Sequence, residues 1–166
     1  MELYLKQNTF SFDTKLCFYD KQDNLCFSTT GGINHAAQHI KIFDQHAEQL
    51  VTVVREQNFL QQSTFHILLR NGGELSLKSQ GFLKKRYTFS DTVITITKTK
   101  RKTLLLKFAE YPVMEYSTKK EKDLSFTKIT ILEEKYLPIA LAVITALSMV
   151  AIENSRMFHF EKTAIF

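Results

Sequence analysis

The sequence predicts a mainly β fold: a closed barrel of about twelve short strands enclosing a hydrophobic C-terminal helix. Three observations carry that expectation. First, the stretch from Tyr136 to Ile152 holds no charged residue and is apolar on every face, interrupted only by Thr145 and Ser148. A helix that is hydrophobic all round belongs inside a protein or inside a membrane. Second, nearly everything before it alternates apolar and polar residues between turn phrases, as strands do. Third, the strands come first and the helix last, which argues against βαβ units and a parallel sheet.

The totals fit this picture. At 166 residues the chain reads as one domain, long enough to bury a sizeable core. We expect the barrel over residues 1–156, with its helix at 137–153 and a C-terminal tail or extra strand at 157–166. The hydrophobic content of 44% and charged content of 23% are those of an ordinary folded soluble protein. The net charge of +5 permits an anionic partner without demanding one. Cys17 and Cys26 are the only cysteines, and they sit in neighbouring strand-like segments. Residues 1–13 mix Glu2, Lys6 and Asp13 with apolar residues and do not read as a signal peptide. A reduced, cytoplasmic setting is expected, with both cysteines acting as small core residues.

Taken in order, Glu2 to Lys6 alternates, and Phe10 and Phe12 continue the period of two. Lys15 to Tyr19 is a second strand, residues 20–24 are a polar turn, and Leu25 to Phe27 resumes the pattern. Thr29-Thr30-Gly31-Gly32 breaks the chain. The phrase then recurs: strand 40–44, turn 45–49, strand 50–54; strand 65–69, turn 70–74, strand 75–78. Asn71-Gly72 is the strongest of these turns, because a tight hairpin needs positive φ at its corner. Three hairpins spaced by roughly 25 residues suggest a repeated β-β unit, although a plain meander produces similar phrases.

Gly81 to Tyr87 and Thr92 to Thr97 supply further strands, the second rich in the β-branched residues that suit a pleated surface. Lys98 to Lys102 reads as a charged hairpin tip, and Leu104 to Phe108 as the returning strand. Pro112 opens a strand to Ser117, since proline is poorly tolerated inside a paired interior. Lys119 to Asp123 reads as a charged turn and Leu124 to Leu132 as the last strand. Glu133 and Glu134 precede the helix, where negative charge suits the positive end of its dipole. Pro138 fits a first helical turn.

The apolar run from Leu137 falls just short of the roughly 17–25 residues a bilayer crossing needs. Its small residues, Ala140, Ala142, Ala146, Ser148 and Ala151, suit close packing. A helix with side chains is about 10–12 Å across, and barrels of about eleven strands enclose one. A buried core is therefore favoured over a membrane span.

Particular phrases carry a family likeness. The opening M-E-L-Y-L-K-Q-N-T-F-S-F-D-T-K-L-C-F-Y-D contains the start of the turn phrase F-Y-D-K-Q-D-N-L-C-F. Near the other end, Y-S-T-K-K-E-K-D-L-S-F-T-K-I-T-I leads to L-P-I-A-L-A-V-I-T-A-L-S-M-V. Across most of its length the chain resembles the bacterial branch of the LURP-one-related family, which shares the Tubby C-terminal and phospholipid-scramblase fold. The resemblance implies a twelve-stranded barrel around a central helix. It also implies a binding role, since members of the wider superfamily bind phosphoinositides or associate with membranes. One departure is Ser148, which stands where the family's helix often carries an acidic residue. No residue-by-residue match to the phosphoinositide site of Tubby proteins is present, so no binding residue is carried over.

Chemistry is sparse in the sequence. His35 and His39 are four apart, but Ala36 stands where a zinc protease motif needs its glutamate. Gly31-Gly32 before them and a strand after them favour a loop. No nucleophile elbow, phosphate-binding loop or dinucleotide fingerprint appears. No catalytic residue, metal ligand or cofactor is assigned. Three basic groups remain: Lys84-Lys85-Arg86, Lys98 with Lys100-Arg101-Lys102, and Lys119-Lys120 with Lys122. Brought to one barrel end, they would form a cationic patch for a lipid headgroup, each cation worth about 1 kcal/mol near a membrane. Otherwise they are solvated turns and lysine-guarded edges. Nucleic acid is not expected, because no aromatic-studded basic motif is visible. The function expected is a non-enzymatic binding module, cytoplasmic and peripheral to an anionic phospholipid surface. The alternatives are a protein-interaction scaffold using residues 157–166, and a small enzyme without a recognisable motif.

Overall fold

The computed structural model describes residues 1–7, 15–31, 37–57, 63–80, 86–89, 94–99, 103–121 and 124–163. Twelve strands run in sequence: β1 (Glu2–Gln7), β2 (Leu16–Tyr19), β3 (Leu25–Thr30), β4 (Ala37–Asp44), β5 (Gln49–Gln57), β6 (Ser63–Leu69), β7 (Glu74–Gln80), β8 (Arg86–Phe89), β9 (Ile94–Lys98), β10 (Leu104–Phe108), β11 (Tyr111–Glu121) and β12 (Leu124–Ile131). A 3-10 turn, Glu134–Tyr136, leads into α1 (Leu137–Thr163), the one α-helix among the described residues.

Each strand pairs antiparallel with its sequence neighbours, and β1 pairs with β12, so the sheet closes into a barrel. Closure gives every strand a neighbour on both sides, with β8 and β9 joined at Thr88↔Thr95 among the described residues. The seam is tied from Glu2↔Thr130 to Leu5↔Thr127. Beyond it, the N-terminal ammonium donates to the Ile131 carbonyl at 2.9 Å and the Ile131 N–H donates to the Met1 carbonyl at 2.8 Å.

The period of two sets the wall. Leu3 and Leu5, Leu16 and Phe18, Ile40 and Ile42, Val51 and Val53, Phe65 and Ile67, and Ile129 and Ile131 are all buried. They form one core with the helix, which packs most closely against β5 and β6. Every residue from Ala140 to Met149 is buried, including Thr145 and Ser148. Ten consecutive buried positions cover every face of a helix, so the wall must surround it. Burying each of Leu141, Val143, Ile144 and Leu147 contributes roughly 1.5–3 kcal/mol. By length and composition Glu134–Ala151 would pass for a membrane span, but in this structure the barrel supplies its apolar surroundings.

Three hairpins share one turn geometry. In each, a residue's N–H donates to the carbonyl four residues on, and the N–H three residues on donates back to its carbonyl. The turn-opening residues are Asp20 (bonds of 3.0 and 3.2 Å), Asp44 (3.1 and 3.1 Å) and Leu69 (2.8 and 3.0 Å). The third position after each lies at positive φ: Asp23 at 67°, Ala47 at 61° and Gly72 at 86°. Two of these are not glycine. There the opening aspartate compensates, as Asp20 Oδ1 accepts from Gln22 and Asn24 N–H and Asp44 Oδ1 from His46 and Glu48 N–H. The recurring β-β phrase in the sequence is thus a recurring turn in space.

Four expectations are corrected. The helix does not end at Glu153 but continues through Thr163, so residues 157–163 are a helical extension rather than an extra strand. No glycine or proline interrupts that stretch, and Glu153, Arg156, Met157, Glu161 and Lys162 are good helix formers. Lys119, Lys120 and Glu121 belong to β11 rather than to a turn, paired with Phe126, Ser125 and Leu124. His39 lies in β4 opposite Val54 rather than in a loop. Both cysteines are half-buried free thiols rather than fully buried core residues: Cys17 lies opposite Ser28, while Cys26 packs against the edge of the core. Phe10, Phe12, His35 and Gly81 lie outside the described residues.

Candidate functional site

In a meander where every strand pairs with its sequence neighbour, alternate connections share an end. The helix starts at what we call the proximal end, with β12's finish and β1's start. The connections β7–β8, β9–β10 and β11–β12 all fall at the opposite, distal end, on six consecutive strands. These are the three basic groups. Arg86 opens β8, Lys98 closes β9 with an exposed side chain, and Lys119 and Lys120 lie in the last residues of β11. Lys84, Lys85, Lys100, Arg101, Lys102 and Lys122 lie outside the described residues. A 2.8 Å bond from the Thr99 N–H to the Thr103 carbonyl pinches the base of the β9–β10 connection. Arg86 pairs with Gln80 at the foot of the β7–β8 hairpin.

The proximal end has the opposite charge. Its connections carry Asp20, Lys21 and Asp23 after β2, then Asp44 and Glu48 after β4, then Arg70 and Glu74 after β6. Glu110 follows β10, and Glu133, Glu134 and Lys135 follow β12. Carboxylates outnumber cations there, and the cations are engaged: Arg70 with Glu48, and Lys135 with Glu133 at 3.5 Å. Lys21 meets Glu2 at 2.8 Å, and Lys128 meets the same carboxylate at 2.6 Å. Hydrogen bonds from Lys128 and then Lys21 hold the Glu2 carboxyl down at about 2. Asp20 is likewise held below its usual range, chiefly by the Asn24 side-chain amide.

Two further constellations were not foreseen from the sequence. Arg55 faces into the barrel at the distal end of β5 and is only 3% exposed. Its Nε and Nη2 donate to Ser63 Oγ at 2.9 and 2.8 Å, and the guanidinium lies 5.8 Å from the Phe65 ring centre. The signal was available: Val51, Val53 and Arg55 occupy one period-two face. On the outer wall, His66 is held between two carboxylates, Nδ1 at 3.2 Å from Glu74 and Nε2 at 3.4 Å from Glu56. Ser76 Oγ stands 3.3 Å from the same Nδ1.

That second grouping invites comparison with a nucleophile–base–acid arrangement. Glu74 competes with Ser76 for one ring nitrogen, and the surrounding strand residues are paired in the β5–β6–β7 ladder, leaving no evident oxyanion site. The carboxylates approach opposite edges of the ring, so they do not converge on one ion, and no cluster of three metal-capable residues occurs among the described residues. Burial pushes the Cys26 thiol up, away from the reactive thiolate form. The two barrel ends are therefore the features whose chemistry is organised at scale. Comparison with protein-family models, curated proteins and solved structures returned no match to this chain.

Proposed function

We propose that the barrel is a non-enzymatic binding module that sets its lysine-rich distal end on an anionic phospholipid surface. One observation carries this reading: three basic segments separated in sequence flank connections at a single barrel end. Lone cations such as Lys21, Arg70 and Lys135 at the proximal end, each beside a carboxylate, are ordinary surface charge; basic segments gathered on neighbouring strands at one end give a directed field. Each lysine or arginine reaching such a surface contributes about 1 kcal/mol, screened within a Debye length. The same reading places the chain with the LURP-one-related proteins of the Tubby-like superfamily, and the barrel around an apolar helix supports that placement.

Vesicle flotation tests the proposal. Neutral phosphatidylcholine vesicles should leave the protein behind, and vesicles containing phosphatidylserine or a phosphoinositide should carry it up, less so as salt rises. Reversing Lys98, Lys119 and Lys120 to glutamate should weaken the association. Flotation that is absent, or indifferent to lipid charge, overturns the reading.

A further inference from the structure

An exposed apolar row crosses part of the proximal mouth. Met1, Phe108, Tyr111 and Leu132 are 49%, 37%, 76% and 46% exposed. They stand at the ends of four consecutive strands of the wall, β1, β10, β11 and β12. Backbone pairing keeps them together: Phe108 lies opposite Tyr111, the Leu132 N–H donates to the Val113 carbonyl at 3.0 Å, and Met1 exchanges bonds with Ile131. Parity explains why three of them are uncovered. Met1 precedes the buried Leu3 by two residues, and Phe108 follows the buried Leu106 by two. On β11 the register shifts, with Leu106 opposite Met114 but Lys107 opposite Pro112. Val113 is the extra residue of a bulge, so Val113 and Met114 are both buried although adjacent. The bulge brings Tyr111 into phase with Val113. Met1, Phe108 and Tyr111 thus continue inward-facing rows past the end of the wall. The Phe108 ring rests on Tyr136, with centroids 5.1 Å apart. A contiguous exposed apolar patch with a polar border marks an interaction site.

The border and the spacing indicate the occupant. Glu110, Glu133 and Glu134 are exposed beside the row. The neighbouring cations are engaged or turned away: Lys135 lies 3.5 Å from Glu133 and 5.0 Å from the Tyr136 ring centre, Lys21 and Lys128 share Glu2, and Lys107 alternates with the inward Leu106. The field there favours a basic partner, and it disfavours both an anionic lipid surface and the same face of a second copy. Strand addition is closed off, because β1, β10, β11 and β12 are each paired on both sides. What remains of the common recognition modes is a helix offering one apolar face. Tilted barrel strands place rim residues about 5–6 Å apart, close to the 5.4 Å pitch of an α-helix. A helix lying along the mouth therefore meets about one rim residue per turn. We propose that an amphipathic helix of another protein, with an apolar stripe bordered by lysine or arginine, docks along this row.

The row spans about three helical turns, well below a standard interface, so dissociation constants of the order of 10–100 μM are expected. The site lies at the opposite end from the basic segments. It needs no lipid, and the outcome of vesicle flotation does not bear on it.

A defined peptide tests it on the full chain. The probe is a blocked 18-residue alanine-based helix with leucine at i, i+4, i+7 and i+11 and lysine flanking that stripe. One control has the same composition in an order that scatters the leucines, and another has glutamate for lysine. By fluorescence anisotropy each control should bind about tenfold more weakly. Amide shifts caused by the lysine helix should cluster in residues 1–3, 107–113 and 131–137. Tyr111→Ser with Leu132→Ser should weaken that helix about tenfold. Glu110→Lys with Glu134→Lys should reverse the preference, so that the glutamate helix binds better than the lysine one. Urea midpoints matching the parent establish folding; should the serine variant fall short, the charge-reversal variant decides alone. Equal binding of either control by the parent, shifts elsewhere on the barrel, or an unreversed preference overturns the proposal. So does self-association of the parent in sedimentation velocity that Tyr111→Ser with Leu132→Ser abolishes, since the row would then belong to a second copy.

Discussion

Replacing Ile144 with alanine probes the enclosed helix at its centre. Its side chain is fully buried, as are those of Val143, Thr145 and Ala146 beside it. The change removes three carbon groups, about 2.4 kcal/mol at about 0.8 kcal/mol per buried methylene. A cavity penalty adds to this. The wall cannot relax inward easily, because each strand is hydrogen-bonded on both sides around a closed ring. The expected cost is about 3–5 kcal/mol, in the upper part of the range for such truncations. With a urea slope of about 2 kcal/mol per molar, the midpoint should fall by about 1.5–2.5 M. Leu132→Ala, at an exposed position, serves as the control and should stay within about 0.5 kcal/mol of the parent. A loss below about 1 kcal/mol at Ile144 would mean that the residue is not packed inside the wall.

Other perturbations have definite outcomes. The Glu2 carboxyl titrates at about 2 when folded against an ordinary 4.5; a folded value below the unfolded one makes its contribution complete above about pH 4.5 and lost as pH falls through about 2. Glu2→Gln should therefore flatten the acid limb of the urea-midpoint profile in that window, and an unchanged limb would discount the Lys128 and Lys21 contacts. Gly31→Ala should destabilise by about 2 kcal/mol or more, because its Cβ would meet the His39 carbonyl oxygen at 2.2 Å at a φ of +111°. Gly72→Ala, at φ +86° in open space, should lose only about 1 kcal/mol, so equal losses at the two glycines would contradict the close approach at Gly31. Thr145→Val removes a buried hydroxyl that has no hydrogen-bond partner among the described residues and should gain about 1 kcal/mol; a loss in chemical denaturation would reveal a partner for it.

The barrel was legible because its wall obeys a period of two and its turns carry polar phrases, so strand number and helix followed from pattern alone. The end of α1 was not legible, since the helix passes from apolar surroundings into a polar sequence at Glu153 without a breaking residue. Lys119 to Glu121 read as a turn because charge was taken for a loop signal, whereas β11 extends through them. Segregation of the basic groups needed only the parity of a neighbour-paired meander, yet it required the correct strand count between Gly81 and Lys98, where the pattern is weakest. The exposure of Phe108, Tyr111 and Leu132 could not be foreseen: in sequence they look like any strand-end core residue, and only their place at the mouth of the barrel leaves them uncovered. Arg55 hid for the reverse reason, a charged residue on an inward face.

Native-state hydrogen exchange in detergent-free buffer tests the enclosed helix most directly. Amides of residues 140–149 should exchange only through global unfolding, with the same opening free energy as those of β5 and β6. Opening of that helix at markedly lower free energy, while the strand amides remain protected, would contradict the account.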